Sequence, residues 1–263
     1  MPHLKMISYS ATQPNTGGAA AAFTGDSLTI ENATGRVRVL AQWALNQVAG
    51  FHQIVYPSGH DTTRNWRTIV DVLNPTPRNV LGAPWWVEPQ ETLTITIAGS
   101  NTAGDVELGS LLLHYGNLPG VSSRHITWSQ LLSRGEKPIT VQASIAGSGA
   151  GYSGTELINA DSDLMMANRD YAVLGIETTT TVGSVWLQGP DTGNVRVGVP
   201  GNSSRPDLCG NWFAGLARAY DDSLIPIINS GNRNSTSIGI GMNENATTTV
   251  VSLNLMLLRK GGD

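Results

Sequence analysis

The chain carries an internal repeat. Met6-Ile7-Ser8-Tyr9-Ser10-Ala11, followed by a Gly/Ala-rich stretch, returns as Pro138-Ile139-Thr140-Val141-Gln142-Ala143, followed by another. Gln53-Ile54-Val55-Tyr56, leading through Ser58-Gly59-His60-Asp61-Thr62 to Asn65, returns as Ser184-Val185-Trp186-Leu187, leading through Gly189-Pro190-Asp191-Thr192-Gly193 to Asn194. An aromatic pair follows in each half, Trp85-Trp86 and Trp212-Phe213. Each half then closes on two apolar segments: Thr94-Ile95-Thr96-Ile97 with Leu111-Leu112-Leu113, and Ser237-Ile238-Gly239-Ile240 with Leu253-Asn254-Leu255. The order is kept throughout, as duplication of one unit in tandem requires. With 263 residues, each copy has the length of an ordinary domain and room for its own core.

Only 14% of the residues are charged, and Gly, Ser, Thr and Asn are abundant, a composition suited to short strands joined by turns. Arg36-Val37-Arg38-Val39-Leu40 and Thr92-Leu93-Thr94-Ile95-Thr96-Ile97 alternate apolar with polar residues, the period of a strand with one buried face. Further strands are expected at residues 5–11, 27–31, 51–56, 66–72 and 107–115, and in the second half at 139–145, 164–167, 171–178, 183–187, 195–199, 235–242 and 248–258. A helix is expected after Thr127, where Gln130 completes a capping box and Gly135 ends the run. A second is expected from Asn211 through Tyr220; its counterpart near Trp85 is interrupted by Pro84 and Pro89 and should be shorter or irregular.

These elements predict an all-β fold of two tandem jelly-roll β-sandwiches, with a short linking helix and one loop helix. The expected divisions are residues 1–118, first jelly roll; 119–137, linker with its helix; and 138–263, second jelly roll. Final hairpins of one design are expected to close both copies. An immunoglobulin-like pair fits less well, because neither half has paired cysteines around a tryptophan.

The formal net charge is −4, and the start, Met-Pro-His-Leu-Lys, holds one lysine, so direct nucleic-acid binding is not expected. Cys209 is the single cysteine, which excludes an intrachain disulfide and a cysteine-based metal cluster. No signal peptide and no membrane-length apolar run is visible, and a reducing cytoplasm is the expected place of folding. Four Asn-X-Ser/Thr triplets, at Asn32, Asn202, Asn234 and Asn245, are read as coincidence in an Asn/Thr-rich chain.

Motifs that suggest chemistry fail on context. Gly149-Ala150-Gly151-Tyr152-Ser153-Gly154 matches a dinucleotide-binding turn, but Thr155-Glu156-Leu157-Ile158-Asn159 is too polar and short for the helix that must follow, and a flexible inter-strand loop is the better reading. Ser58, His60 and Asp61 have the residue types of a hydrolytic triad, yet Pro57 to Asp61 reads as a turn, and the second copy keeps only the turn residues and Asp191. His3, His52, His114 and His125 lack metal-site spacing. Glu88, Glu91, Asp105 and Glu107 would have to converge to act as a glycosidase pair, and are read as rim charges. No catalytic residue, metal or cofactor is expected, and the chain is not read as an enzyme. The seven tryptophans favour packing over ligand contact.

In its duplicated strand order, its size, the inter-barrel helix and the loop helix, the chain resembles the double jelly-roll major capsid proteins of icosahedral, internally membraned bacterial viruses. The resemblance includes no sequence motif. It implies a structural virion protein, made in the host cytoplasm, whose homotrimers form pseudo-hexagonal capsomers. It also implies contacts with neighbouring capsomers, with minor capsid or vertex proteins and with an internal lipid membrane. Under it, Trp85, Trp86, Trp212, Phe213 and Tyr220 are expected as inter-barrel or intersubunit anchors, with Arg64, Arg67, Arg196 and Arg218 supplying polar contacts. The alternatives are a tandem β-sandwich that binds carbohydrate or a receptor for a phage, and an enzyme on a two-barrel scaffold.

Overall fold

A computed structural model describes residues 3–12, 24–46, 50–59, 66–70, 75, 77–79, 85–98, 105–147, 149–158, 164–243 and 248–260. The chain divides into two compact units, one of Lys5–Pro119 and one of Gly120–Asp263 with Met1–Leu4. Both are built from antiparallel sheets, so the chain is all-β, as its composition predicts. Of residues 119–137, read from sequence as a linker, Pro119 closes the first unit and the rest fall within the second.

The second unit shows the topology most fully. Its elements are β10 (His125–Ile126), α1 (Trp128–Arg134), β11 (Gly135–Ile145), β12 (Gly149–Leu157), β13 (Asp170–Thr178), β14 (Val182–Gln188), β15 (Val197–Gly201), α2 (Pro206–Cys209), α3 (Trp212–Tyr220), β16 (Ile225–Asn229), β17 (Ser237–Asn243) and β18 (Thr249–Leu258). One sheet has the order β10-β16-β13-β18-β11 and the other β12-β17-β14-β15. Numbered from β11 as first to β18 as eighth, the sheets read sixth-third-eighth-first and second-seventh-fourth-fifth, the order of a jelly roll.

The first unit repeats it with β1 (His3–Thr12), β2 (Thr24–Gly25), β3 (Val37–Leu45), β4 (Gly50–Val55), β5 (Trp66–Val70), β6 (Arg78–Asn79), β7 (Trp85–Val87), β8 (Thr94–Ala98) and β9 (Val106–Tyr115). One sheet has the order β2-β1-β9-β3-β6, with β7 also paired to β3, and the other the order β5-β4-β8. The second-strand position beside β8 is taken by a short segment: Leu93 N–H donates to Leu28 O at 3.0 Å, Ile30 N–H donates to Glu91 O at 2.8 Å, and Thr29 bridges Thr92. The predicted strand at 27–31 is thus reduced to one bridge.

The copies agree down to an irregularity. On β3, Val39 pairs with Leu113 and Ala41 with Leu112, leaving Leu40 as an extra residue; on β13, Val173 pairs with Leu255 and Gly175 with Asn254, leaving Leu174 extra. A bulge at one position in both third strands is a far narrower coincidence than shared strand order. Elsewhere the register has drifted: Ile54 pairs with Ile95, whereas Val185 pairs with Ile240 and Leu187 with Ile238. A two-residue slip keeps every side chain on its face.

Several expectations need correction. The aromatic pairs are not equivalent, since Trp85-Trp86 lie in strand β7 and Trp212-Phe213 open helix α3. The closing strands do not form hairpins: β8 and β9, like β17 and β18, lie in opposite sheets, with β9 and β18 as interior strands. Residues 149–154 form part of β12, where register shifts around Tyr152 use the conformational freedom of glycine-rich chain. Residues 164–167 are not a strand; Met166 N–H donates to Tyr171 Oη at 2.7 Å and Met166 O accepts from Ser230 Oγ at 2.7 Å, which holds the segment as a turn. β8 alternates as predicted, but β3 is buried along nearly its whole length, with both faces covered.

The linking helix α1 forms where its cap places it. Thr127 Oγ1 accepts from Gln130 N–H at 3.2 Å while Gln130 Oε1 accepts from Thr127 N–H at 2.9 Å. α3 has no side-chain cap, and packing holds it: Trp212, Phe213, Leu216 and Ala217 are buried, and the helix lies against β13 and β16. Burying a side chain such as Phe213 is worth about 1.5–3 kcal/mol. Approach of this excursion to the sheet depends on Gly175, where a Cβ would stand 2.1 Å from Cys209 O.

Candidate interaction surface

Cross-strand pairing puts Trp86 of β7, Arg38 of β3 and His114 of β9 in one row, Trp86 opposite Arg38 and Arg38 opposite His114. The Arg38 guanidinium carbon is 5.9 Å from the Trp86 ring centre, and Arg38 Nη2 donates to His114 Nδ1 at 3.1 Å. Trp86 is 41% exposed, more than any other tryptophan among the described residues. An aromatic ring backed by a guanidinium on a rigid strand is the residue chemistry enriched at protein interfaces.

The other expected anchors divide by burial. Trp85 stacks on Trp66 with ring centres 5.1 Å apart and sits 5.6 Å from Tyr56; it is a core residue of its own unit. Trp212 and Phe213 are core residues of theirs, turned in by α3. These three pack within their own units. Tyr220 is half-buried at the end of α3, and Arg67 and Arg218 are exposed. Arg67 stands 4.1 Å from the Phe51 ring centre and donates to Gln53 Oε1 at 2.6 Å. Half-buried Arg196 stands 5.5 Å from Trp186, and Arg218 stands 5.9 Å from Trp128. Arg64 lies outside the described residues.

Among the carboxylates of the first unit, Glu91 and Glu88 are engaged in contacts between loops. Glu91 accepts from Ser58 N–H at 2.9 Å, Ser58 Oγ at 3.0 Å and Glu88 N–H at 2.7 Å, which ties two loops together. Glu88 pairs with Arg36 at 2.7 Å, and Glu107 is buried. His60 and Asp61 lie outside the described residues, but the matching turn of the second copy is structural. Asp191 Oδ2 accepts from Asn229 N–H and from Asn232 Nδ2, both at 2.9 Å, pinning the turn after β14 to the end of β16. Beside it Arg124 donates to Asp170 Oδ1 at 2.9 Å, and with Asn229 holds the Asp170 carboxyl below the usual range. Among the described residues no group of three His, Cys, Asp or Glu side chains is arranged to hold a metal. Burial pushes the Cys209 thiol up to about 11, and its Sγ donates to Pro200 O at 3.1 Å.

Sequence reasoning missed a polar network inside the first sandwich. Tyr9 of β1, Gln42 and Asn46 at the β3 end, His52 of β4, and Thr68 of β5 are all buried. His52 Nε2 donates to Asn46 Oδ1 at 2.7 Å, and Tyr9 Oη donates to His52 Nδ1 at 3.1 Å. Trp66 Nε1 donates to Gln42 Oε1 at 2.6 Å, and Thr68 Oγ1 donates to the same oxygen. Desolvation pulls the His52 imidazole down to about 3 and pushes the Tyr9 phenol up. The available signal was the repeat itself, which aligns Tyr9 with Val141.

No protein-family model matches the chain, and no curated protein matches it in sequence. Among solved structures it is similar to the PBSX exported protein XepA, at 9% identity over 97% of this chain and 86% of that one, with a TM-score of 0.29. It is also similar to the STIV MCP, at 9% identity over 98% of this chain and 96% of that one, with a TM-score of 0.23. No helix among the described residues is long and apolar enough to cross a membrane.

Proposed function

We propose that the chain is a structural virion protein, the major capsid protein of an icosahedral shell, acting as a homotrimer. The observation that carries this reading is the fusion of two jelly rolls of one strand order, sharing even the bulge of their third strands. Three such chains about a three-fold axis present six similar lateral faces, so a trimer tiles as a pseudo-hexagon with nearly repeated contacts. Function on this reading is geometric, and the chain catalyses no reaction. The strongly perturbed groups Tyr9, His52, Tyr115 and Cys209 are all buried in the interior.

Trp86, Arg67, Arg196, Arg218 and Tyr220 supply the contacts between copies or between neighbouring capsomers. Minor capsid or vertex proteins and an internal lipid membrane are the further partners, and a net charge of −4 leaves the genome uncontacted. The protein resides in the virion after synthesis in the host cytoplasm. Size-exclusion chromatography with light scattering, followed by electron microscopy, tests the reading. Trimers, hexagonal tiles or shells are expected; a strict monomer that binds carbohydrate saturably would replace it with the binding-module alternative.

A further inference from the structure

The two copies fill equivalent interiors differently. Gln42 pairs with Leu111 and Ile176 pairs with Leu253, and these are matching positions of the repeat. The same alignment sets Val141 at the place of Tyr9 and Gly183 at the place of His52. All eight residues are buried. A jelly roll of this order therefore closes without a polar core, and the network belongs to the first copy rather than to the fold.

We propose that the first unit is an acid-responsive element in which protonation of His52 opens the sandwich, a trigger that the second unit, with Gly183 at this place, lacks. The inference stands independently of the capsid reading. Asn46 Oδ1 is an acceptor, so the neutral ring carries its hydrogen on Nε2 and offers the Nδ1 lone pair to the Tyr9 hydroxyl. A second proton lands on Nδ1, turns that acceptor into a donor and forces the Tyr9 hydrogen away. It also leaves a charge where no water reaches, because His52 is fully buried.

The strands packed against His52 offer little relief. β1 presents Tyr9, kept neutral by burial. β3 presents Gln42 and Asn46, β5 presents Thr68 and β8 presents Ile95 and Ile97, none of them titratable. β9 contributes Gly109 against Tyr9 and, further along, buried Glu107, which is engaged in an interaction of its own.

Hydrogen exchange of the full chain, corrected for intrinsic rates and read on peptides of each unit, tests the proposal. Between about pH 7 and about pH 4.5, opening of Lys5–Pro119 is expected to rise on the order of 100-fold from this group. In His52→Gln, which keeps a neutral donor and acceptor, the first-unit rise should shrink by that factor. An equal rise in the variant overturns the proposal. Should the variant not fold, the His52 imidazole of the unaltered chain decides by NMR. A ring that stays neutral until the first unit opens sustains the proposal; one that titrates near 6.5 in the folded chain overturns it.

Discussion

The Tyr9 ring fills the space above Gly109: a Cβ at residue 109 would stand 2.1 Å from Tyr9 Cζ. β1 and β9 are neighbours in the sheet, and the missing side chain on one lets the aromatic ring of the other reach His52 across the interior.

Gly109→Ala should therefore lower the stability of the first unit by about 1–3 kcal/mol, the usual cost of overpacking a core. Urea unfolding followed by a first-unit probe measures it. An unchanged midpoint would mean that Tyr9 does not lie against β9.

Asp170 and Arg124 set a dependence at the acid end. The Arg124 hydrogen bond, with Asn229, holds the Asp170 carboxyl below 3.8, so its stabilisation is present above that value and is lost as pH falls through the lowered one. Asp170→Asn should cost up to about 1 kcal/mol at neutral pH, since the pair is partly exposed and screened. The difference from the unaltered chain should vanish in strong acid, as urea midpoints at the two pH values would record.

Thr127→Ala removes one half of the capping box and should cost about 1 kcal/mol. Faster amide exchange confined to Trp128–Arg134 is the matching local readout.

Trp86→Ala should leave folding within about 0.5 kcal/mol, because the ring is exposed, yet weaken association of copies by about 2 kcal/mol if it anchors an interface. Light scattering across a dilution series separates the two effects. Undiminished association would remove Trp86 from the contact.

Fold class was legible because a duplicated pattern is read twice: an alternation too weak to trust in Met6–Ala11 gains weight when Pro138–Ala143 repeats it. The capping box at Thr127 was legible because it is local. Pairings set by long-range geometry were not. Trp85-Trp86 and Trp212-Phe213 look alike as pairs, but β3 draws one into a sheet while the close approach at Gly175 lets the other ride on a helix over β13. The sequence places His52, Tyr9 and Asn46 on three different segments, and only closure of the sandwich brings their polar atoms together.

The paired bulges at Leu40 and Leu174 carry a statement about descent. An extra residue at the same rung of both ladders is what a lone barrel already holding it would leave in both halves once its gene doubled. What the halves do not share, the helical cover over β13 in one and the histidine-centred interior of the other, marks their separate histories since.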